Sequence, residues 1–326
     1  MNRILKKEQF SEKVYCIEVE APLIAKSCKP GNFIIVRVDS HSERVPYTIA
    51  KSDPLKGTLT LVIQEVGLSS TKFCELPVGA YVQDIVGPLG TPSKIERYGT
   101  VVCAGGGIGI AAILPILTAL HKAGNKVISV LAGRTKNLII MEDDVRENSD
   151  EVIIMTDDGS YGQKGMVTAG VEEVLKREHV DKVLAIGPPV MMKFTSLLAH
   201  KYGVPNDVSL NTIMVDGTGM CGACRLTIGG KTRFVCIDGP EFNGDEVDWN
   251  EMMSRMGTFK GVEREEMQHW EAEGAPDTGA SISEQGNAGD KTAENSEDIT
   301  LTHDDLTDRN APWRVELRKA MKPKER

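Results

Sequence analysis

The run VVCAGGGIGIAAILPIL at residues 101–117 constrains the chain more than any other segment. A continuous apolar stretch with β-branched residues meets a glycine cluster and opens into an apolar stretch of helical length. A buried strand that enters a helix through glycines belongs in a parallel sheet covered on both faces, because parallel neighbours must be joined by a crossover. The same grammar recurs downstream. Strand-like KVISVLAG, EVIIMTDDG and KVLAIGPP alternate with helix-like MVTAGVEEVLKREH and VMMKFTSLLAHKYG. This alternation predicts an α/β domain with a parallel sheet over residues 98–205.

Residues 1–97 read differently. VYCIEVEA, NFIIVRV, TLTLVIQEV and AYVQDIV are short and rich in β-branched residues, and turn formers separate them at LysProGly 29–31, SerAspPro 52–54 and GlyProLeuGly 87–90. Strands so closely spaced predict a small antiparallel β-barrel or sandwich. Residues 206–245 are glycine-rich, cysteine-bearing and too few for an independent apolar core, so something else must staple them. Residues 261–326 carry 16 acidic and 9 basic residues, most of the chain's net charge of −9. Between Glu271 and Thr300 there is no aromatic residue, so a disordered acidic linker is expected there, followed by a basic, Trp313-bearing end suited to docking a partner.

The composition also excludes functions. A nearly neutral body with 5% aromatics offers neither a basic stripe nor a stacking platform for nucleic acid. No run reaches the 18 or so apolar residues of a membrane span, and the N-terminus lacks a signal-peptide pattern. Four of the seven cysteines, Cys16, Cys28, Cys74 and Cys103, are scattered singly and read as buried small hydrophobes. A reducing cytoplasm is the expected compartment.

Three constellations carry chemistry. In AGGGIGIAAILP, residues Gly105, Gly106, Gly107 and Gly109 leave backbone N–H groups bare at a helix start, where a pyrophosphate can bind. The spacing departs from G-x-G-x-x-G, since Ile110 stands three residues after Gly107, and a purely structural turn is the alternative. In DGTGMCGAC, Asp216, Cys221 and Cys224 keep the x4 and x2 spacings of a plant-type [2Fe–2S] loop, with Asp216 in the first cysteine's place and Cys236 as a distant ligand. A zinc site with the same four donors or plain structural thiols are the rival readings, and for Asp216 the rival is an N–H acceptor that stabilises the Gly217–Gly219 turn. In RVPYT at 44–48 and GLSSTK at 67–72, Arg44 can neutralise a phosphate, Tyr47 can stack on a flat ring, and Ser70 and Thr71 offer donors beside Gly67. A solvated arginine and a barrel tyrosine would be the bland outcome.

Together the three resemble the ferredoxin–NADP reductase superfamily, over residues 1 to about 260. The resemblance implies an FAD-binding barrel at 1–97, an NAD(P)-binding α/β domain at 98–205 and a [2Fe–2S] domain at 206–260. Arg44, Tyr47 and Thr48 match the family's Arg-x-Tyr-Ser/Thr flavin element, with Pro46 inside it. Gly67, Ser70 and Thr71 match the segment beside the FAD pyrophosphate. Gly105, Gly106, Gly107 and Gly109 match the dinucleotide loop. Gly187, Pro188 and Met191 match the Gly-Pro-x-x-Met element beside the nicotinamide, and Asp157 joins the cofactor-binding set. The metal set is Asp216, Cys221, Cys224 and Cys236. Ala112 departs from the proline that many members carry at the helix start.

Within the superfamily the cluster loop resembles the electron-transfer subunits of dihydroorotate dehydrogenase. It is still more similar to the small subunit of NADH-dependent reduced ferredoxin:NADP oxidoreductase, which carries Asp plus three Cys. The implied function is an oxidoreductase subunit passing electrons between NAD(P)H, FAD and a [2Fe–2S] cluster to a partner. A dihydroorotate-type electron-transfer subunit is the alternative, and a zinc-stapled nucleotide-binding scaffold is the reading from a different class. No catalytic acid or base is expected, because the cofactors carry the chemistry. The end TDRNAPWRVELRKAMKPKER is similar to the opening of the glutamate synthase small-subunit family, which suggests a flavoprotein of that type as partner, separate or fused downstream. Ferredoxin is a further candidate partner.

Overall fold

The structure is a computed structural model that describes residues 2–273. Its first sheet contains β1 (Asn2–Ser11), β2 (Val14–Glu20), β3 (Phe33–Arg37), β4 (Val45–Asp53), β5 (Thr58–Gln64), β6 (Tyr81–Val82) and β7 (Asp84–Leu89), with short helices α1 (Pro22–Ser27) and α2 (Leu68–Glu75) between them. The order β6-β1-β2-β5-β4-β3-β7, antiparallel throughout, makes a nearly closed barrel. Alternation builds its core: Ile17 and Val19 of β2 and Leu59, Leu61 and Ile63 of β5 point inward against Ile4, Ile49 and Phe73. The AYVQDIV run is broken at Gln83, whose N–H bonds to the Val38 carbonyl, so it forms two strands.

The second sheet runs β11-β10-β9-β8-β12-β13-β16. Its strands are β8 (Thr100–Gly106), β9 (Lys126–Gly133), β10 (Glu151–Thr156), β11 (Gln163–Lys164), β12 (Lys182–Ile186), β13 (Asn206–Ser209) and β16 (Glu241–Asn243). All pairs are parallel except β13 with β16. Helices α3 (Gly109–Lys122), α4 (Glu142–Glu147), α5 (Val167–Arg177) and α6 (Pro189–Lys201) are the crossovers. Residues 101–106 of β8 are buried throughout, as a central parallel strand requires. Gly105 and Gly106 therefore belong to the strand, and the turn proper begins at Gly107.

The chain leaves the sheet after β13 and returns at β16. The excursion holds the hairpin β14 (Arg225–Ile228) and β15 (Lys231–Phe234) and the one-turn helix α7 (Val235–Asp238). Beyond β16 come α8 (Trp249–Arg255) and α9 (Lys260–Glu273). Asp248 caps α8 by accepting N–H bonds from Asn250 and Glu251. Residues 260–273 thus form a helix, although composition assigned 261 onward to the linker. REEMQHW is a helix-forming run, and Trp270 lies under the Lys72 ammonium at 4.8 Å from ring centre to Nζ. The rest of the expected linker and the partner-docking end lie outside the described residues.

Candidate functional site

A cleft of about 1330 Å³ opens between the barrel and the second sheet. The barrel contributes Phe33 of β3 and Pro46, Tyr47 and Thr48 of β4. The sheet contributes Gly106, Gly107 and Gly109 at the β8–α3 junction, Asp157 after β10, and Gly187, Pro188 and Met191 at the β12–α6 junction. These carboxyl ends of parallel strands are where ligands bind in open α/β sheets. Arg134 and Met166 also line the cleft, as do Leu210, Asn211, Thr212 and Pro240 of the excursion.

Tyr47 packs its ring edge-on to Phe73, centroids 5.6 Å apart. Its phenol oxygen is buried without a hydrogen-bond partner, and burial raises its pKa, so the O–H stays protonated. An orphaned donor on the wall of a cleft this large fits a bound flavin, which would supply the missing acceptor. At the glycine turn, Gly107 has φ of 55° and its N–H donates to the Ala132 carbonyl at 2.8 Å. A Cβ there would meet no protein atom within 4 Å, so Gly107 leaves bare backbone at the start of the fourteen-residue α3. That fits an anionic dinucleotide. A Cβ on Gly106 would stand 2.2 Å from Met191 Sδ, so the two matched elements interlock.

Other matched residues stand elsewhere. Gly105 is buried in β8 against Ile110, serves strand–helix packing, and does not line the cleft. Ser70 is buried, and its hydroxyl closes the turn at α2: it accepts N–H bonds from Val66 and Gly67 at 3.0 and 3.1 Å and donates to the Gly67 carbonyl. Gly67, Ser70, Thr71 and Arg44 all lie outside the cleft lining, and Arg44 is exposed.

In the cysteine loop, Asp216 accepts N–H bonds from Thr218 and Cys221, each 2.8 Å, and these bonds hold its carboxyl below the usual range. Cys224 and Cys236 are buried with their sulfurs 3.2 Å apart. Burial, and then the Cys224 contact, push the Cys236 thiol up to about 12. The four matched donors thus form two pairs, Asp216 with Cys221 and Cys224 with Cys236. Among the described residues no three His, Cys, Asp or Glu side chains converge on one point. Two sulfurs on one tetrahedral metal at roughly 2.3 Å would stand somewhat further apart, at roughly 3.8 Å, so the buried pair needs only a small spread to share an iron. Backbone N–H groups of Ala223 and Cys236 already point at the sulfurs of Cys221 and Cys224, as iron–sulfur loops require. The donor set fits a cluster. A Cβ on Gly217 would lie 2.6 Å from Ile35 Cδ1 and 2.8 Å from Leu89 Cδ1, so the loop rests directly on β3 and β7.

Comparison with known proteins agrees with this geometry. The family model for the iron–sulfur cluster binding domain of dihydroorotate dehydrogenase B matches residues 211–248. The chain is 45% identical over 264 residues to the dihydroorotate dehydrogenase B (NAD(+)), electron transfer subunit homolog of Thermotoga maritima, covering 81% of this chain and 93% of that one. It is 34% identical to a probable subunit of the same type from Methanopyrus kandleri, covering 73% and 85%. A solved structure of the NADH-dependent reduced ferredoxin-NADP oxidoreductase, described for flavin-based electron bifurcation, superposes with a TM-score of 0.78 at 42% identity, over 82% of this chain and 98% of that chain. The ferredoxin reductase of carbazole 1,9a-dioxygenase, at 19% identity and a TM-score of 0.53 over 63% of this chain and 65% of that one, shares the fold. No helix among the described residues is long and apolar enough to cross a membrane. With a glycine turn and an unpartnered tyrosine facing one cleft and paired cysteines behind it, the chain belongs to the family of dihydroorotate dehydrogenase B electron-transfer subunits.

Proposed function

We propose that this chain takes electrons from NAD(P)H at the cleft and delivers them, through FAD and a [2Fe–2S] cluster, to a partner subunit in the cytoplasm. One observation carries the reading: the cleft and the cysteine loop share a wall. Phe33 of β3 lines the cleft, and Ile35, two residues along the same strand, meets Gly217 of the loop. When bound, FAD accepts the two electrons and proton of a hydride, and the cluster carries electrons singly.

The protein's part is to hold and orient. Tyr47 and Thr48 face the flavin, and Arg44, exposed and without an ion pair among the described residues, meets its pyrophosphate at the mouth. Gly67, Ser70 and Thr71 shape the turn beside it. Gly106, Gly107 and Gly109 receive the nicotinamide dinucleotide on bare backbone, with Asp157, Gly187, Pro188 and Met191 along its length. Asp216, Cys221, Cys224 and Cys236 ligate the cluster. The aspartate favours a partner of the ferredoxin:NADP oxidoreductase type, a flavoprotein similar to the glutamate synthase small subunit, over a dihydroorotate-oxidising one. Domains at 1–97, 98–205 and 206–260 divide these tasks.

The test is anaerobic titration of the purified chain with NADH and, separately, NADPH. Flavin and iron–sulfur absorbance that bleaches, with a rhombic paramagnetic signal in the reduced state, is the expected result. A colourless protein, or one holding zinc, would overturn the reading.

A further inference from the structure

Three segments distant in sequence meet behind the shared wall: the barrel turn at 29–32, the barrel exit at 89–93 and the cluster-segment exit at 237–241. Asn32 is buried and donates from its side-chain amide to the carbonyls of Leu89 and Gly90, both at 3.0 Å, which locks the turn to the exit. Thr91 then reaches the cluster segment twice. Its N–H donates to the Gly239 carbonyl, and its hydroxyl donates to the Ile237 carbonyl, one residue beyond Cys236, at 2.9 Å. Ser93 donates to the Glu241 carboxyl. Gly31, with φ of 84°, permits this approach, since a Cβ there would lie 2.2 Å from Ser93 Oγ and 3.1 Å from Glu241 Oε1. Gly31 and Pro240 also border the cleft, whereas Asn32, Thr91, Ser93 and Glu241 belong neither to its lining nor to the ligand set.

The geometry points to this junction as a clamp that sets the gap between flavin and cluster, with Thr91 and Ser93 as positioning residues. The inference rests on the proposed cofactor sites. The loop rests on β3 and β7 through Gly217, and what grips its two ends decides how closely its cysteine side keeps to β3. One end is β13 in the sheet. The other runs through Cys236 into the 237–241 segment, which the sheet holds by the Leu210 N–H bond to the Pro240 carbonyl and the Ser209–Glu241 pairing, and which Thr91 and Ser93 hold from the barrel. Loosening the barrel's grip, with the pairing to β13 left in place, lets the Cys224–Cys236 side of the loop shift against β3 without removing a ligand, and electron transfer between two centres weakens steeply as they part.

The test uses the full chain with its flavin and cluster, as Thr91→Val, Ser93→Ala and Thr91→Ser. For Thr91→Val the expected result is full flavin content, unchanged flavin reduction by NADH, an intact reduced-cluster signal and a several-fold slower bleaching of the iron–sulfur band. The Thr91 amide should exchange its hydrogen about tenfold faster, because one hydrogen bond of its neighbourhood is gone. Thr91→Ser, which keeps the hydroxyl, should restore both rates, and Ser93→Ala should slow bleaching in the same sense. Faster exchange with unchanged bleaching would overturn the clamp, as would loss of the cluster in Thr91→Val or equal slowing in Thr91→Ser. Absence of a cluster signal in the wild-type chain would instead overturn the proposed cofactor sites.

Discussion

The glycine turn at 106–109 and the cysteine loop at 216–224 use the same residue type under opposite constraints. The turn is strung between a strand buried along residues 101–106 and a fourteen-residue helix, and its Gly107 N–H is already bonded to β9. Its shape is set by the sheet, with or without a nucleotide. The loop has regular structure only after it, in β14 and β15. Two N–H bonds to Asp216, one buried thiol contact and packing on Ile35 and Leu89 give it form. A phosphate site can be preorganised by backbone alone, whereas a cluster site is completed by what its side chains bind.

The hardest test of that contrast is Cys236→Ser. It should abolish the reduced-cluster paramagnetic signal entirely while flavin absorbance stays at wild-type strength, because neither residues 216–224 nor Cys236 line the cleft. Loss of flavin together with the cluster would break the comparison.

Next in size is a pH effect at the edge of the loop segment. Burial holds the Glu241 carboxyl up at about 7, with Asp207 pushing the same way and Lys182 and the Ser93 hydroxyl opposing. The Lys182–Asp207 ion pair lies beside it, and Tyr98 and Cys103 also face it. The folded protein keeps a proton that the unfolded chain loses near 4.5. That stabilisation is whole below the unfolded value and is lost as pH rises through about 7. Glu241→Gln should therefore flatten the fall in unfolding free energy between pH 5 and 8 by roughly 3 kcal/mol, read by denaturant titration at each pH. A wild-type curve with no such fall would place the carboxylate in water.

At the turn, Gly107→Val forces a β-branched residue into left-handed backbone, at a cost of about 2 kcal/mol, and sends its side chain into the cleft. Weaker NAD(P)H binding with an unchanged cluster signal is expected, and calorimetric titration would detect it. The smallest effect belongs to Tyr47→Phe. Deleting the orphaned O–H should loosen FAD by about fivefold, the worth of one net hydrogen bond, without lowering the stability of the cofactor-free chain. A destabilised cofactor-free variant would mean that the phenol has a protein partner.

What the sequence displayed of this arrangement was what is local. The elements around Tyr47, Gly107, Gly187 and Met191 each lie within a few residues, and the fold brings them to one cleft. The cysteine spacings pointed to the segment that the family model matches. Gly105 and Gly106 read as loop because glycine is rare inside strands, yet the tight packing of Ile110 and Met191 against β8 leaves no room for a side chain. β13 and β16, four and three residues long, are too short for any period to show. Thr91, Ser93 and Glu241 carry no local signal at all. They meet across about 150 residues of chain, and only the folded structure joins them.

The excursion that carries the cysteines starts and finishes on neighbouring strands, with Ser209 paired to Glu241. Geometrically it is a cassette plugged into the rim of the sheet: a two-residue hairpin could close the same gap and leave the remaining strand order intact. The insert also gives the cleft Leu210, Asn211, Thr212 and Pro240, so a chain without it would keep the barrel and glycine-turn sides of the cleft and lose this one. Grafting runs the other way too. A reductase of this fold whose last two sheet strands are antiparallel neighbours has a ready socket for an electron-carrying insert, provided that its barrel also offers a bare glycine turn and a hydroxyl to seat it.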